Sequence, residues 1–303
     1  MKNAIFGFIL FLAGSAGIAQ EFTAIWPEGN MPNSKGLKLE HIEKNQRITQ
    51  VAEPGFYSFF PANEENKGAV VLILPSGGYH HLTYNLGGFQ VAKWFNTMGI
   101  PAFVLNYRLP TSPDLKVSYK GPIQDAQRAM KIIRANAEKY KIDPEKIGIF
   151  ATSAGGHLAT TLGTHSEDFS AIKNDTLNDY SFKPNFMVLI SPVISFGKYA
   201  HEGSIQNFFG ESPSEKLIKE YSNELHVNEN TPPSFLVHAQ NDKSVSAMNS
   251  ILFYEAMMKS GVKGSLHFFP KGQHAIGITN ESVLTDEWKD LCEKWLKEEQ
   301  VIN

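Results

Sequence analysis

From about residue 69 onward, short apolar runs alternate along the chain with amphipathic segments. Runs rich in β-branched and aliphatic residues predict strands covered on both faces, at 69–74, 102–106, 147–150, 187–191, 234–238 and 265–269. Apolar positions at helical spacing predict helices near 89–98, from 124 to about 140, at 154–163, near 246–259, and in a last segment ending at residue 295. This alternation is typical of an α/β protein with a mostly parallel central sheet and helices on both faces.

Residues 195–233 interrupt the alternation. This stretch carries the apolar pair Phe208-Phe209 before Gly210 and a short amphipathic piece at 215–221. We interpret it as a small insertion over the carboxyl edge of the sheet, where it would form a wall for a substrate. No internal repeat or second domain is evident, so residues 20–303 are predicted to form a single domain.

The first nineteen residues have the pattern of a secretory signal peptide. Lys2 supplies a positive start, an apolar stretch of about ten residues follows at 4–13, and Gly17-Ile18-Ala19 fits a cleavage site. An apolar stretch this short is well below the roughly 20 residues that cross a bilayer, so we expect no integral membrane span after signal removal. We therefore expect a secreted or periplasmic protein; an uncleaved membrane anchor is the alternative.

Charge and cysteine content narrow the functional classes further. The formal net charge is -3, which gives no basic footprint for nucleic acid, and we expect no nucleic-acid partner. The single cysteine, Cys292, excludes an internal disulfide, and its position in an amphipathic pattern predicts a packed thiol. His, Cys, Asp and Glu do not cluster at metal-ligand spacing, so we expect neither a metal nor another cofactor.

The sequence around Ser153 has the form of a nucleophile elbow. A predicted strand at 147–150 leads into small residues, with Ser153 at the tip of the turn and a helix directly after it. Small neighbours are required because the turn is tight and the helix passes close to the strand. Ala151 stands where the usual G-x-S-x-G pattern has its first glycine. The alternative is an ordinary strand-to-helix turn in which serine caps the helix.

A glycine pair follows the first long strand. Gly77 and Gly78 allow the backbone to approach a ligand and to direct N–H groups at it, as an oxyanion hole requires. The N–H of Ala154, the residue after the candidate nucleophile, would complete that site. The alternative is a plain glycine turn. Three following residues are candidate substrate contacts: Tyr79, His80 and His81.

Two later strand ends carry the remaining candidate groups. Asp242 follows the strand predicted at 234–238, and His274 lies in a glycine-containing loop after the strand at 265–269. The order Ser, Asp, His along a chain is that of the α/β-hydrolase fold and differs from the orders in chymotrypsin and subtilisin. We therefore predict a catalytic triad in which Asp242 orients His274 and His274 deprotonates Ser153.

Other polar residues are predicted to be structural. This group includes three histidines on predicted helices or strands, His157, His238 and His267. It also includes a charged set that predicts a buried ion-pair network, Asp125 with Arg108 and Arg128.

Several segments resemble the bacterial acetylxylan esterase-like family of α/β-hydrolases, which includes bifunctional acetyl and feruloyl esterases. The resemblance extends from about residue 25 to 278. Its matching segments are Trp-Pro at 26–27, Pro-Ser-Gly-Gly-Tyr at 75–79, Tyr-Arg-Leu-Pro at 107–110, Gln-Asp-Ala-Gln-Arg at 124–128, Ser-Ala-Gly-Gly-His-Leu-Ala at 153–159 and Pro-Pro-Ser-Phe-Leu-Val-His at 232–238. The chain departs from the family pattern at Ser76, Ala151, Asn241 and the Gln273-His274-Ala275 segment, and none of these changes removes a candidate catalytic group.

The resemblance implies a serine carboxylester hydrolase that removes acetyl or feruloyl groups from plant or algal polysaccharide. Its partner would be a small ester or an esterified oligosaccharide, with Ser153 as nucleophile, Asp242 as orienting acid and His274 as base. A prolyl-oligopeptidase-like peptidase or a lipase is the alternative among enzymes; we expect the former to need a large propeller domain and the latter a long apolar lid helix. A catalytically silent carbohydrate-binding protein that kept the fold is the alternative outside enzymes.

Overall fold

The computed structural model describes residues 21–278 and 282–303, so the predicted signal peptide at 1–19 lies outside the described residues. The strands in this part of the chain are β1 (Phe22–Ala24), β2 (Ile42–Lys44), β3 (Arg47–Gln50), β4 (Gly55–Phe59), β5 (Val70–Leu74), β6 (Ala102–Asn106), β7 (Ile147–Thr152), β8 (Phe186–Ile190), β9 (Ser234–Ala239) and β10 (Gly264–Phe269). The α-helices are α1 (Gln90–Thr97), α2 (Lys120–Ala135), α3 (Ala137–Tyr140), α4 (Ser153–Thr164), α5 (Glu202–Phe209), α6 (Glu215–Glu220), α7 (Met248–Lys259), α8 (Val283–Asp286) and α9 (Trp288–Glu298).

Eight of these strands form one sheet in the order β1-β4-β6-β5-β7-β8-β9-β10. The pairs from β6 through β10 are parallel, while β1 and β4 add an antiparallel edge. All six predicted strands are confirmed, with ends that differ by at most two residues. The hairpin of β2 and β3 lies outside the sheet.

Alternate side chains of β5 face two separate hydrophobic clusters. Val70, Leu72 and Leu74 belong to a cluster that includes apolar residues of α2, α4 and α7. Val71 and Ile73 belong to the other cluster, with residues of α1 and α9. The sheet is therefore covered by helices on both faces, as predicted for a parallel sheet. Within the described ranges, no helix is both long enough and apolar enough to cross a bilayer.

The helix predicted from residue 124 to about 140 differs from the observed one. It begins earlier, at Lys120, because Pro122 suits the first turn of a helix, where no backbone N–H is needed for an intrahelical bond. It is also divided into α2 and α3 at Asn136, whose side-chain amide donates to the carbonyl of Ile132 at 2.8 Å. A side chain that competes for a helical carbonyl explains this break.

The predicted ion-pair network is present with one correction. Arg108 is paired with Asp125 at 2.7 Å, and Trp26 donates its indole N–H to the same carboxylate at 2.7 Å. Arg128 forms its ion pair with Asp175, at 2.6 Å, and not with Asp125, although its guanidinium lies over the ring of Trp26 at 4.7 Å from the centroid. Through the contact of Trp26 with Asp125, the segment between β1 and β2 is attached to α2, 99 positions further along the chain.

The segment at 195–233 packs over the carboxyl edge of the sheet, as predicted, and contains α5 and α6. Its aromatic side chains join buried residues of the main fold. Phe208 lies 4.7 Å from Tyr79 and 5.1 Å from His157, measured between ring centroids. Phe196 stacks on His157 at 4.1 Å. The insertion is therefore packed against the residue that follows Gly78 and against α4, the helix that begins at Ser153.

Candidate active site

Ser153 lies at a tight turn where β7 meets α4. Its φ of +51° is in the left-handed region, which non-glycine residues rarely adopt, as expected of a strained elbow. A Cβ on Gly155 would lie 2.3 Å from the carbonyl oxygen of Leu74, and one on Gly156 would lie 2.5 Å from Cβ of Pro192. Helix α4 can pass this close to its neighbours only because both positions are glycine.

The side chains of Ser153, Asp242 and His274 meet at the carboxyl edge of the sheet. Nε2 of His274 lies 2.9 Å from Oγ of Ser153, and its Nδ1 lies 2.7 Å from Oδ2 of Asp242. Both distances are those of hydrogen bonds. The imidazole therefore connects the hydroxyl to the carboxylate.

Asp242 is held as a carboxylate. Its side chain is buried, and its Oδ1 accepts hydrogen bonds from the backbone N–H groups of Ser244 and Val245 at 2.8 and 2.9 Å. Burial raises the pKa of Asp242, but the hydrogen bonds from His238, His274 and Val245 outweigh it and hold that pKa well below its ordinary value. The residue that faces His274 is consequently a proton acceptor at neutral pH.

The loops that carry the acid and the base are tied to each other. The backbone N–H of Gln273 donates to Oδ1 of Asn241 at 2.9 Å. Gln273 and Ala275, on either side of His274, have φ values of +55° and +51°. Because both neighbours are in the left-handed region, the backbone turns sharply enough to direct the imidazole back toward the elbow.

The glycine loop after β5 lies beside the elbow. Gly77 has a φ of +140° and Gly78 one of +61°, and a Cβ on Gly77 would lie 1.9 Å from the carbonyl oxygen of His81. The carbonyl of Gly77 accepts the backbone N–H groups of His80 and His81 at 3.0 and 3.2 Å. In the part of the chain that the structure describes, the N–H groups of Gly77, Gly78 and Ala154 donate to no protein acceptor. Ala154 is in the first turn of α4, where N–H groups have no partner within the helix.

Tyr79 is not the substrate contact that the sequence predicts. Its side chain is fully buried, and its hydroxyl is hydrogen-bonded to Nδ1 of His157 at 2.9 Å. It has a φ of +61°, which turns the ring away from the cleft and into the core. His80 is exposed and His81 is half-buried, with their Nδ1 atoms 3.5 Å apart. Both remain candidates for contact with a substrate.

The insertion brings two residues to the glycine loop that the sequence does not single out. Asn207 donates its side-chain amide to the carbonyl oxygen of Gly78 at 2.8 Å. His201 caps α5, accepting the N–H of Ser204 on its Nδ1 at 3.1 Å, and its Cε1 lies 3.9 Å from where a Cβ on Gly78 would be. Burial, together with the nearby His274, lowers the pKa of His201. No local sequence signal marks either residue, because each depends on where the insertion packs.

Open cavities flank the line of Ser153, His274 and Asp242. One of about 580 Å³ lies on the His274 side and is lined by residues that include Leu86, Asn241, Gln273, His274 and Ile278. Another, of about 490 Å³, lies on the Asp242 side and is lined by residues that include Lys198, Tyr199, Asp242 and Lys243. A substrate larger than a simple ester therefore has room on either side. Residues 21–278 and 282–303 contain no cluster of three His, Cys, Asp or Glu side chains that could hold a metal ion.

Comparison with known proteins adds a family and several relatives. A family model described as BD-FAE matches residues 58–257. The acetylxylan esterase of Xylanibacter ruminicola is 33% identical over 244 residues, which are 79% of this chain and 47% of that protein. Endo-1,4-beta-xylanase B of Butyrivibrio fibrisolvens is 32% identical over 231 residues, 74% of this chain and 36% of that protein. The chain thus spans less than half of the length of these curated relatives.

Solved structures show the same architecture. An acetyl ester-xyloside bifunctional hydrolase from Caldicellulosiruptor lactoaceticus is 33% identical, with a TM-score of 0.80 over 94% of this chain and 98% of that one. A thermophilic esterase of Thermogutta terrifontis, bound to propionate, has a TM-score of 0.70 at 21% identity, covering 93% of this chain and 95% of that one. With the observed sheet order, these likenesses confirm the predicted α/β-hydrolase fold.

Proposed function

This chain belongs to the BD-FAE family, and we propose that it is a serine carboxylester hydrolase that removes acetyl groups from acetylated xylan or its oligosaccharides. The observation that carries the proposal is the hydrogen-bonded line from Asp242 through His274 to Ser153. An arrangement of carboxylate, imidazole and hydroxyl with these contacts is what acyl transfer to serine requires.

In the proposed reaction, Oγ of Ser153 attacks the ester carbonyl carbon while Nε2 of His274 takes the hydroxyl proton. The tetrahedral intermediate then collapses: the ester C–O bond breaks, and the sugar hydroxyl leaves with the proton from His274. Water, deprotonated by His274, attacks the acyl-serine, and acetate is released with Ser153 restored. Asp242 keeps the imidazole in the tautomer with the proton on Nδ1 and stabilises the imidazolium in both steps.

The N–H groups of Gly77, Gly78 and Ala154 are the proposed oxyanion hole. They lie on the loop after β5 and at the first turn of α4, and among residues 21–278 and 282–303 they have no protein acceptor. Donors that are already fixed and unpaired can stabilise the developing negative oxygen without reorganisation, and each is worth about 3 kcal/mol of barrier.

The xylan substrate is supported by the relatives. One is named an acetylxylan esterase, and the similar solved structure is named an acetyl ester-xyloside bifunctional hydrolase. The cavities on both sides of the triad suit a chain of sugars that extends past the reacting ester. Such a polymer is met outside the cytoplasm, and the signal-like pattern at residues 1–19 fits this location.

The test is acetate release from acetylated xylo-oligosaccharides, with feruloylated oligosaccharides measured in parallel. We expect the wild-type protein to release acetate and Ser153→Ala to lose about 10⁶ of the turnover. Ser265 also has a histidine partner, with Oγ 2.7 Å from Nε2 of His267, but lies on β10 away from the acid. Ser265→Ala is therefore a matched control that should keep full activity. Turnover by Ser153→Ala at the wild-type rate would refute the proposed nucleophile.

The alternatives predict different results in the same assay. A peptidase would cleave aminoacyl substrates in preference to sugar acetates, and a lipase would prefer long-chain esters. A silent carbohydrate-binding protein would neither release acetate nor react with a fluorophosphonate probe. Labelling of wild type, absent in Ser153→Ala, would exclude the silent protein.

A further inference from the structure

A second histidine, His238, lies behind the candidate acid. It is the fifth residue of β9, and its side chain is completely buried. Its Nε2 lies 3.1 Å from the carbonyl oxygen of Val245 and 3.2 Å from Oδ2 of Asp242. That carboxylate oxygen is the same one that accepts the proton of His274. Oδ2 of Asp242 is therefore contacted by two imidazoles, those of His238 and His274.

The hydrogen-bond partners determine which nitrogen of His238 carries the proton. Nε2 faces the carbonyl oxygen of Val245 and the carboxylate of Asp242, and neither can donate a proton in its usual form, so Nε2 must be the N–H. Nδ1 lies 2.8 Å from Oγ of Ser250 on α7. With the proton on Nε2, Nδ1 is an acceptor, so the hydroxyl of Ser250 donates to it and holds the ring at its other nitrogen.

His238 also acts on Asp242 through the backbone. The N–H of Val245 donates to Oδ1 of Asp242 at 2.9 Å, and the carbonyl of the same residue accepts Nε2–H of His238. His238 thus holds Val245 in place, and the N–H of Val245 in turn holds Oδ1 of Asp242. The ring has little freedom to move, because it is completely buried and each of its nitrogens is hydrogen-bonded, one to Val245 and the other to Ser250.

We propose that His238 is a positioning residue for the reaction: its Nε2–H, aimed by the contacts of the ring with Val245 and Ser250, holds the Asp242 carboxylate in the orientation that receives His274. This inference rests on the proposed ester hydrolysis. His238 touches neither substrate nor Ser153, so it acts only through Asp242. It also shares the charge on Oδ2, which limits how strongly the acid retains the proton on His274.

The test compares two replacements of one ring. Leucine at position 238 removes the donor and keeps apolar volume, whereas glutamine can place an amide N–H near the position of Nε2. We expect His238→Leu to lower kcat by roughly ten- to a hundredfold, by analogy with the loss of a hydrogen-bond partner behind a metal-bound side chain, with KM within about twofold. His238→Gln should recover kcat to within about fivefold of wild type.

The pH profile separates positioning from packing. The titratable groups that interact with His274 include Asp242 and His201, and both are kept in these variants. Without the N–H of His238, Asp242 should hold the proton on His274 more strongly, so the acid limb of kcat/KM should move to higher pH in His238→Leu and not in His238→Gln. Equal losses in both variants with no displacement of the limb would make His238 a packing residue and overturn the proposal.

A second variant covers the case in which His238→Leu does not fold. Ser250→Ala keeps the ring and removes only the hydroxyl that holds Nδ1, so Nε2–H is aimed less firmly at Asp242. We expect a smaller loss of kcat than in His238→Leu and a smaller displacement of the acid limb, also to higher pH. Unchanged kcat and an unchanged limb would overturn the proposal.

The failure of the proposed hydrolysis is distinguishable from the failure of this inference. If wild type releases no acetate, the proposed function is wrong, yet the proton on Nδ1 of His274 can still be followed by NMR without substrate. A displaced resonance in Ser250→Ala or His238→Leu supports the coupling through Asp242. An identical resonance in wild type and variants contradicts it.

Discussion

Nδ1 of His274 lies 2.7 Å from Oδ2 of Asp242, although the two residues are 32 positions apart in the chain. Their strands explain the meeting: β9 and β10 are parallel neighbours, with Ala239 paired to Phe269, so the loops that follow leave the same edge of the sheet at the same level. The backbone pairing of these two strand ends is therefore sufficient to bring the loops of Asp242 and His274 together.

This contact predicts the effect of removing the charge of the acid while keeping its shape. In Asp242→Asn the side chain can donate to Nδ1, which favours the wrong imidazole tautomer and leaves the imidazolium without its counter-charge. We expect kcat for p-nitrophenyl acetate to fall by about 10⁴ with little change in KM. Asp175→Asn serves as the control, because it makes the same substitution at a carboxylate that pairs with Arg128 and not with a histidine. A loss below about tenfold in Asp242→Asn would contradict the assigned role.

A second prediction concerns the hydrogen bond between the insertion at 195–233 and the glycine loop after β5. Asn207 donates to the carbonyl of Gly78 at 2.8 Å, and loss of one such bond costs about 1 kcal/mol, equivalent to about fivefold in rate if it is felt in the transition state. We expect Asn207→Ala to lower kcat by about that factor in steady-state assays. Gln206→Ala, an exposed change on the same helix, should have no effect. If both variants match wild type, the insertion does not support the oxyanion loop.

The sequence was sufficient to predict the buried strands and the three residues that meet at their ends. Strands β5 to β9 are buried along their whole length, so their runs are mostly apolar and easily detected. Strand β10 is half-buried at the edge of the sheet and is detected from its three apolar residues and its length. Strands β1 to β4 were not predicted as strands, because they are short and lie at the antiparallel edge or in a separate hairpin. Local sequence could place neither Asn207 nor His201 at the site, since both arrive there through the packing of the insertion.

Tyr79 and His238 show the limits of judging a residue by its neighbours in the chain. Tyr79 adjoins the glycine loop but has a φ of +61°, so its ring points into the core and not toward the cleft. His238 is inside a strand, which suggested a purely structural role, yet the turn after that strand brings Asp242 to 3.2 Å from its ring. The side-chain direction at a strand end depends on backbone angles that composition does not reveal.

A third prediction tests the close contact beneath the elbow. In Gly155→Ala the new methyl group would lie 2.3 Å from the carbonyl oxygen of Leu74, a backbone atom that cannot move without displacing the start of the glycine loop. We expect a loss of about 3 kcal/mol or more in the free energy of unfolding, measured with urea. Gly197→Ala meets only the side-chain oxygen of Ser195, at 3.3 Å, and should cost far less. Equal stability of the two variants would show that α4 can shift to make room.

The last prediction concerns the pH dependence of stability and depends on His157. Its Nε2 is hydrogen-bonded to the carbonyl of Tyr221 at 2.8 Å, so this nitrogen carries the proton, and Nδ1 accepts the hydroxyl of Tyr79. Complete burial lowers the pKa of His157 from 6.5 to about 3. Between these two values the unfolded chain binds a proton that the folded chain does not, so lowering the pH favours unfolding.

The contribution of this histidine to stability is therefore fully present above pH 6.5 and declines at about 1.4 kcal/mol per pH unit below it. From pH 7.5 to pH 5 it should remove about 2 kcal/mol from the free energy of unfolding, measured by urea titration at each pH. The glutamine in His157→Gln does not titrate. The plot of its free energy of unfolding against pH should therefore have a smaller slope over this range, by the amount that one bound proton contributes. Thr160→Ser, a change on the same helix that adds no titratable group, can reduce the free energy of unfolding at every pH but should leave its pH dependence unaltered. A glutamine variant with the wild-type slope would mean that His157 is protonated in the folded protein, and that its hydrogen bond with Tyr79 has the opposite donor.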